Sequence, residues 1–381
     1  MQLAPFLLDA WLEQKFSADP PLEFDLGSST GPVWTLRELL ALDGEDAPER
    51  LLDTALSYTS PAGSAELRQE IARLQGVAPE HVQVVTGAAE ALLLLFYLAA
   101  EPDANVVLPE PAFPTNAVLA ESLGIEVRRY HLLAETGFRV DPDEICSQVD
   151  RNTRFVLVNS PHNPTGAVLD EAEMATLHDF CAVRGVGFVS DEVYHPIYHG
   201  PEMQSAARLP HATVLGDFSK ALCLSGLRTG WMIERDRARR ERFTNARSYF
   251  TVSNTALGER LGALAIRHRD AIYGRAQRIA RDNLSLLDRL FAEHQSVLRW
   301  VRPAGGMTAF PWLADGGDGR EFCRRLAKHG VLAAPGDCFG MPQHIRLGFA
   351  ASGEKFAAGL ERLSSMLRGA AGHRTRSAGP S

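Results

Sequence analysis

Lys220 and Arg228 are the residues from which the chemistry of this chain is most directly read. The 381-residue chain holds four lysines, and from Phe16 to Ala327 Lys220 is the only ammonium amid many arginines. It sits in Gly216-Asp217-Phe218-Ser219-Lys220, and Arg228 follows in Ser225-Gly226-Leu227-Arg228-Thr229-Gly230-Trp231. A lysine amine can lose its proton and form a Schiff base, which a guanidinium practically cannot. An arginine offers a planar fork to a phosphate. An imine-forming Lys beside a phosphate-binding Arg points to pyridoxal phosphate (PLP). Alone, the segment reads more simply as a surface loop, so other segments must support it.

Three do. Asn159-Ser160-Pro161-His162-Asn163-Pro164-Thr165-Gly166 follows an apolar run, and its two nearby prolines fix a rigid loop with Asn163 as an amide donor, or else a plain turn. Ser190-Asp191-Glu192-Val193-Tyr194 ends another apolar run. A carboxylate buried there needs a positive partner, such as a protonated pyridine nitrogen, with Mg²⁺ on the Asp191–Glu192 pair as the alternative. Tyr194 is placed to reach the ring's phenolic oxygen. Thr86-Gly87-Ala88-Ala89-Glu90 carries a strand into a helix through Gly87, so the N–H groups of Ala88 and Ala89 form an anion site. Phe113, in Pro111-Ala112-Phe113, is either core or a ring that stacks on the cofactor.

The elements that must position these residues alternate. Short apolar strands are expected at 82–86, 105–108, 125–130, 154–159, 186–190, 213–216 and 231–233, with helices at 65–74, 88–100, 115–123 and 170–183. Such continuous apolar runs imply a buried, mostly parallel sheet, an α/β architecture with ligands at the carboxyl ends of the strands. After Tyr249 the texture changes: a long Arg-rich helix over 251–294, interrupted near Arg269, then short strands at 297–301, 308–313, 331–334 and 345–349 with helices at 320–328 and 355–367.

Composition narrows the class. Hydrophobic residues make up 45% and charged residues 23%, and the net charge of −8 is spread without a basic run, so neither nucleic acid nor membrane is an expected partner. Five scattered cysteines without a CxxC pair argue against a metal site or disulfide framework and fit a reducing cytoplasm. Met1 to Lys15 is amphipathic and lacks the basic start and apolar core of a secretion signal.

In order along the chain, Tyr58-Thr59-Ser60-Pro61-Ala62-Gly63, TGAAEAL, PAF, NSPHNPTG, SDEVY, DFSK, GLRTGW and His344-Ile345-Arg346-Leu347-Gly348-Phe349 resemble the class I/II aminotransferases of PLP fold type I. The resemblance implies a large PLP-binding domain at 46–275, a small α+β domain from 1–45 and 276–368, and a flexible tail at 369–381. It implies catalytic roles for Lys220, Asp191 and Tyr194: Lys220 holds the cofactor and moves the substrate Cα proton, and Asp191 pairs the pyridinium. Asn163 and Tyr194 contact the phenolic oxygen and Phe113 stacks on the ring. Gly87, Ala88, Ala89, Ser219 and Arg228 cradle the phosphate, joined by Tyr58 of a second subunit in a homodimer. Arg346 forks onto the substrate carboxylate, with Asn163 beside it and Gly31 in a mobile closing segment.

Two positions depart from that family. Asp217 stands where relatives carry a phosphate-binding hydroxyl, and Ala89 where many carry Ser or Thr. A carboxylate about 4 Å from a phosphate would cost on the order of 4 kcal/mol at an effective dielectric near 20, so Asp217 is expected to turn away or be bridged by Arg228. Stretches around Pro303 to Pro311 and Lys328 to Leu332, and the N-terminal Ser28-Ser29 with Leu36 to Leu39, are similar to the capreomycidine synthases, which use this fold to dehydrate and cyclise a hydroxyarginine. The expected activity is transfer of an L-amino acid's amino group to a 2-oxo acid through a Lys220 Schiff base. Elimination or cyclisation of a basic amino acid is the alternative. A DNA-binding regulator is disfavoured, because only about 45 residues without a basic helix precede the first motif. Trp34, Tyr249, Phe250, Met307, His195 and His199 are candidates for the side-chain pocket.

Overall fold

The computed structural model describes residues 3–351 and 353–376. Its centre is a seven-stranded sheet running Val82–Val85, Gly230–Ile233, Ala212–Asp217, Gly187–Asp191, Thr153–Asn159, Asn105–Glu110, Glu126–His131. Only Gly230–Ile233 is antiparallel to its neighbours. These are the seven strands the apolar runs imply. One face packs on the helix Ala88–Ala99 through Leu92, Leu95 and Phe96, and the other on Leu67, Ile71 and Leu177. Local chemistry sets the helix limits. Asp170 caps Glu171–Arg184 in a reciprocal box with Glu173, and Gly185 ends it in the left-handed conformation.

Register matters more than strand count. Asn159 pairs with Asp191 across adjacent parallel strands, and Asp217 ends the next strand opposite Gly230. Three polar residues thus reach the same carboxyl edge of a sheet that is otherwise apolar.

A second apolar core gathers both ends of the described chain. Phe24–Asp25 pairs parallel with Val331–Leu332, and the Trp11 indole donates to the Ala333 carbonyl at 2.8 Å. Thr308–Ala309, Ile345–Gly348 and Ala334–Pro335 form a three-stranded antiparallel sheet beneath the helices Arg269–Glu293 and Gly353–Arg376. That last helix continues into the segment read as a tail from residue 369, while 377–381 lie outside the described residues. No helix among the described residues is long and apolar enough to cross a membrane.

Three elements differ from the reading of the sequence. The 308–313 strand is two strands in different sheets, divided at Pro311, whose nitrogen has no proton to give a ladder. The 331–334 strand is likewise two, Val331–Leu332 and Ala334–Pro335, in different sheets, whereas the break expected near Arg269 falls at His268, between the helices Ala256–Arg267 and Arg269–Glu293. Arg237–Phe250 is a helix with no strong apolar stripe: Phe243 and Ala246 face inward and a charged residue, Arg247, completes the buried side.

Arg247 is fully buried and ties four segments together. Its guanidinium bonds Glu90 at 3.2 Å, the Pro61 carbonyl at 2.5 Å and the Asn254 side chain. Glu90 in turn accepts from the Thr86 N–H at 2.5 Å and from Thr251, and Asn254 donates to the carbonyls of Val85 and Arg228. Breaking such a pair strands a charge in the interior. Glu90→Ala is expected to lower stability to urea by about 3–5 kcal/mol, with much of the loss recovered in the Glu90→Ala/Arg247→Met double variant. A single variant that unfolds at the wild-type midpoint would contradict the account.

Candidate active site

A cavity of about 240 Å³ opens at the carboxyl edge of the sheet, its wall including Ala88, Phe113, Asn163, Asp191, Lys220 and Arg228. Lys220 follows the strand Ala212–Asp217, and its Nζ donates to the Ser29 hydroxyl at 3.0 Å, with the Tyr194 ring centroid 5.9 Å away. Its one side-chain hydrogen-bond partner among the described residues thus comes from the N-terminal segment.

Asp191 is buried and forms no ion pair among the described residues. Burial pushes its carboxyl up to about 7 against the single N–H bond from Val193; Asp217 and Glu192 add to the rise and Lys220 opposes it. Asn159 donates to the Asp191 carbonyl at 2.9 Å and accepts from the Asn163 N–H at 2.8 Å. It thereby locks the Asn163 loop, whose Ser160–Pro161 and Asn163–Pro164 bonds are both cis, onto the Asp191 strand.

Arg346 lies at the far side of Asn163. It is 1% exposed, donates to the Asn163 side-chain oxygen at 3.2 Å and to the Gly27 carbonyl at 2.7 Å, and its Nε is buried with no partner. It forms no ion pair among the described residues, and burial lowers its proton affinity. A buried guanidinium with an open donor requires an anion.

The segment Gly27 to Gly31 straps the cleft. Gly27 accepts from Arg346, the Ser29 carbonyl from the Tyr194 hydroxyl at 3.2 Å, and the Ser29 hydroxyl from Lys220. The close approach is possible because Gly348 has no side chain; a Cβ there would collide with the Ser28 carbonyl, and one on Gly31 with the Cys223 sulfur.

At the other end, Gly87 (φ 74°) turns the chain from strand to helix. A Cβ on it would lie 2.8 Å from Arg228 Nη2 and 3.2 Å from Asp217 Oδ2, so only glycine leaves this corner open. Arg228, itself left-handed at φ 50°, donates to the Ser219 hydroxyl at 3.4 Å and the Ser225 carbonyl at 3.2 Å. Asp217 reaches the same corner, beside Arg228. Its Oδ2 accepts from the Ala88 N–H at 2.6 Å and its Oδ1 from the Ser219 N–H. The reason is local: two free N–H groups converge there, and a buried carboxylate takes the donors nearest to it.

The sequence candidates Ala88, Ala89, Phe113, Asn163, Asp191, Tyr194, Ser219, Lys220 and Arg228 therefore share one cavity wall, with Gly87 at its corner and Arg346 behind Asn163. Phe113 meets Phe6 edge-on at 5.8 Å. Tyr58 does not join them: it is 86% exposed in a separate depression with Asn254 and Leu257. Of the side-chain candidates, Met307 packs at Gly31, Trp34 stacks under Arg275, and His199 bonds the Gly306 carbonyl, while Tyr249 is exposed. Ser29, Thr30 and Asn159 were missed. Their only signal was adjacency, Ser29 and Thr30 to Gly31 and Asn159 to the proline loop.

Comparison with known proteins places these residues in context. The family model described as "Aminotransferase class I and II" matches residues 40–363. The chain is 32% identical to capreomycidine synthase of Streptomyces vinaceus, over 98% of this chain and 96% of that one. It is 30% identical to the arginine–pyruvate transaminase of Pseudomonas aeruginosa, over 84% of each. A PLP-dependent aminotransferase structure from Streptococcus suis superimposes with a TM-score of 0.89 at 30% identity, covering 97% of this chain and 98% of that one.

The Asp191 geometry has a measurable consequence. In the folded, unliganded chain its carboxyl stays protonated up to about 7, whereas unfolded it ionises near 3.8. The folded state thus holds the extra proton, and its stability falls as pH rises through that window. Between about pH 5 and pH 8 the ligand-free wild type is expected to lose roughly 3 kcal/mol that Asp191→Asn retains. Parallel urea curves for the two proteins at both pH values would refute this.

Proposed function

Since the chain belongs to the class I and II aminotransferases, we propose that it is a pyridoxal-phosphate-dependent enzyme moving the amino group of an L-amino acid to a 2-oxo acid. The observation that carries the reading is the cleft's charge pattern. A buried carboxyl and a lysine amine line one cavity, a buried guanidinium with an open donor stands behind its Asn163 wall, and none is paired with another in a salt bridge among the described residues.

The residues present fit the cofactor. Asp191 would hold a protonated pyridine nitrogen, whose positive charge would let the buried carboxyl ionise. Phe113 offers a ring face, Asn163 and Tyr194 offer polar hydrogens, and Gly87, Ala88, Ala89, Ser219 and Arg228 surround an anion corner. PLP, when bound, supplies an aldehyde that condenses with amines and a ring that accepts the electrons of a substrate Cα–H bond. The Lys220 amine takes up the Cα proton and returns it, acting as general base and then acid. Ser29, 3.0 Å from Nζ, orients that amine. Arg346 fixes the substrate carboxylate through the fork its open Nε completes, and Asn163 keeps the guanidinium in plane. The strap from Gly27 to Gly31 excludes water from the reacting carbon.

The unit is further proposed to be a homodimer. Leu56, Tyr58 and Leu257 are large, exposed and flank the Asn254 depression, which a second copy would cover while bringing its Tyr58 to the phosphate corner. The second reading is elimination or cyclisation of a basic amino acid, favoured by the 32% identity to capreomycidine synthase over nearly the whole chain.

An amino acid panel, run with and without a 2-oxo acid acceptor, separates the two. Transamination yields a 2-oxo acid from the donor in single turnover and a new amino acid once acceptor is added; cyclisation yields a dehydrated ring product and no amino transfer. Lys220→Ala is expected to abolish either reaction. Arg346→Ala is expected to raise KM for the donor about 10²-fold, the loss of a charge-assisted pair of hydrogen bonds. An unchanged KM would remove Arg346 from the carboxylate site.

A further inference from the structure

The anion corner is already held by an anion of the chain's own. Two N–H groups point into it, those of Ala88 at the start of the helix Ala88–Ala99 and of Ser219 just before Lys220. Both donate to the one Asp217 carboxylate, at 2.6 Å from Ala88. Arg228 Nη2 reaches the same corner, beside the missing side chain of Gly87. Asp217 is buried and ends its strand, where the Phe218 N–H to Thr229 carbonyl bond at 3.1 Å fixes its backbone and leaves the side chain as the part that can move.

We propose that Asp217 is an internal competitor for the cofactor's phosphate, a claim that rests on the cofactor reading above. Each N–H has one hydrogen to give, so phosphate oxygens and the Asp217 oxygens cannot hold both donors at once. The phosphate enters by exchange: it takes the Ala88 and Ser219 hydrogens, and the Asp217 side chain swings toward the Arg228 guanidinium. No covalent bond forms or breaks in this step. Two consequences follow from the same geometry. With Asp217 in place the Ala88 and Ser219 donors are satisfied, so the chain tolerates loss of the cofactor. The loaded cleft carries a displaced carboxylate beside a phosphate, so the cofactor is held less tightly than a hydroxyl at this position would allow. Asp217 thereby sets the exchange of cofactor without touching the reacting atoms.

The test is equilibrium binding to cofactor-stripped wild type, Asp217→Ser and Asp217→Asn, read by absorbance on titration with pyridoxal phosphate and separately with pyridoxal, which lacks the phosphate. The expected result is at least tenfold tighter binding of pyridoxal phosphate by Asp217→Ser. A smaller gain is expected for Asp217→Asn, which keeps an oxygen in the corner but no charge. Pyridoxal should bind all three alike. Inorganic phosphate should compete with pyridoxal phosphate at lower concentration in the serine variant than in wild type. Unchanged or weaker binding of pyridoxal phosphate by both variants overturns the proposal, and so does an equal gain for pyridoxal, because then the effect does not lie at the phosphate. If no form, wild type included, takes up either compound at Lys220, the cofactor reading itself fails, and the competitor with it.

Discussion

The structure of the cleft depends on one buried ion pair that takes no part in its chemistry. Arg247, on a helix whose sequence has almost no apolar stripe, reaches through the interior to Glu90 and from there governs where the strand ending at Val85 stops. Its other bonds hold Pro61 and Asn254, and Asn254 holds the carbonyl of Arg228. A second buried carboxylate, Glu259, works alongside, accepting from Thr59 at 2.8 Å and the Ser64 N–H at 2.6 Å. The corner where an anion would sit is therefore fixed by charges placed behind it. Such pairs contribute little net stability compared with apolar packing, but they fix a single arrangement, because any alternative leaves a charge without a partner.

Within the cleft the logic is reversed. Asp191 and Arg346 are buried without counter-ions among the described residues, which a stable interior avoids. The protein settles the first by keeping a proton on it and the second by lending it two oxygens, those of Asn163 and Gly27. Both arrangements are provisional in the chemical sense, since a better partner can replace each. Binding is then less a matter of making new polar contacts than of exchanging internal partners for external ones. The strap from Gly27 to Ser29 serves in the same way for Tyr194 and Lys220.

Most of the large sheet was legible in the sequence, because buried parallel strands are continuous apolar runs and each here is bounded by Gly, Pro or Asn. The residues that sit at those boundaries were legible too: Lys220, Asp191, Asn163 and Arg228 stand where a strand ends. What was not legible depended on distance across the fold. Arg237–Phe250 was missed since its inward side is completed by Arg247, which periodicity counts as solvent-facing. Ser29 carries no motif, and the contacts that bring its segment over Lys220, the pairing of Phe24–Asp25 with Val331–Leu332 among them, span most of the chain. Asp217 was flagged by its residue type, but the two N–H groups that converge on its carboxylate come from segments far apart in the chain and carry no signal at its own position.

The pairing of Phe24–Asp25 with Val331–Leu332 also bears on how the molecule is made. A ribosome releases the N-terminal strand first, and its partner emerges only after the entire seven-stranded sheet has been synthesised. The large sheet can close during translation, whereas the strap over Lys220 must wait, unpaired, until Val331–Leu332 has been made. Chain termination shortly before Val331 would leave a folded sheet with its lysine uncovered, and the loop that the pairing closes is long enough that its entropy is repaid only when the whole second core assembles.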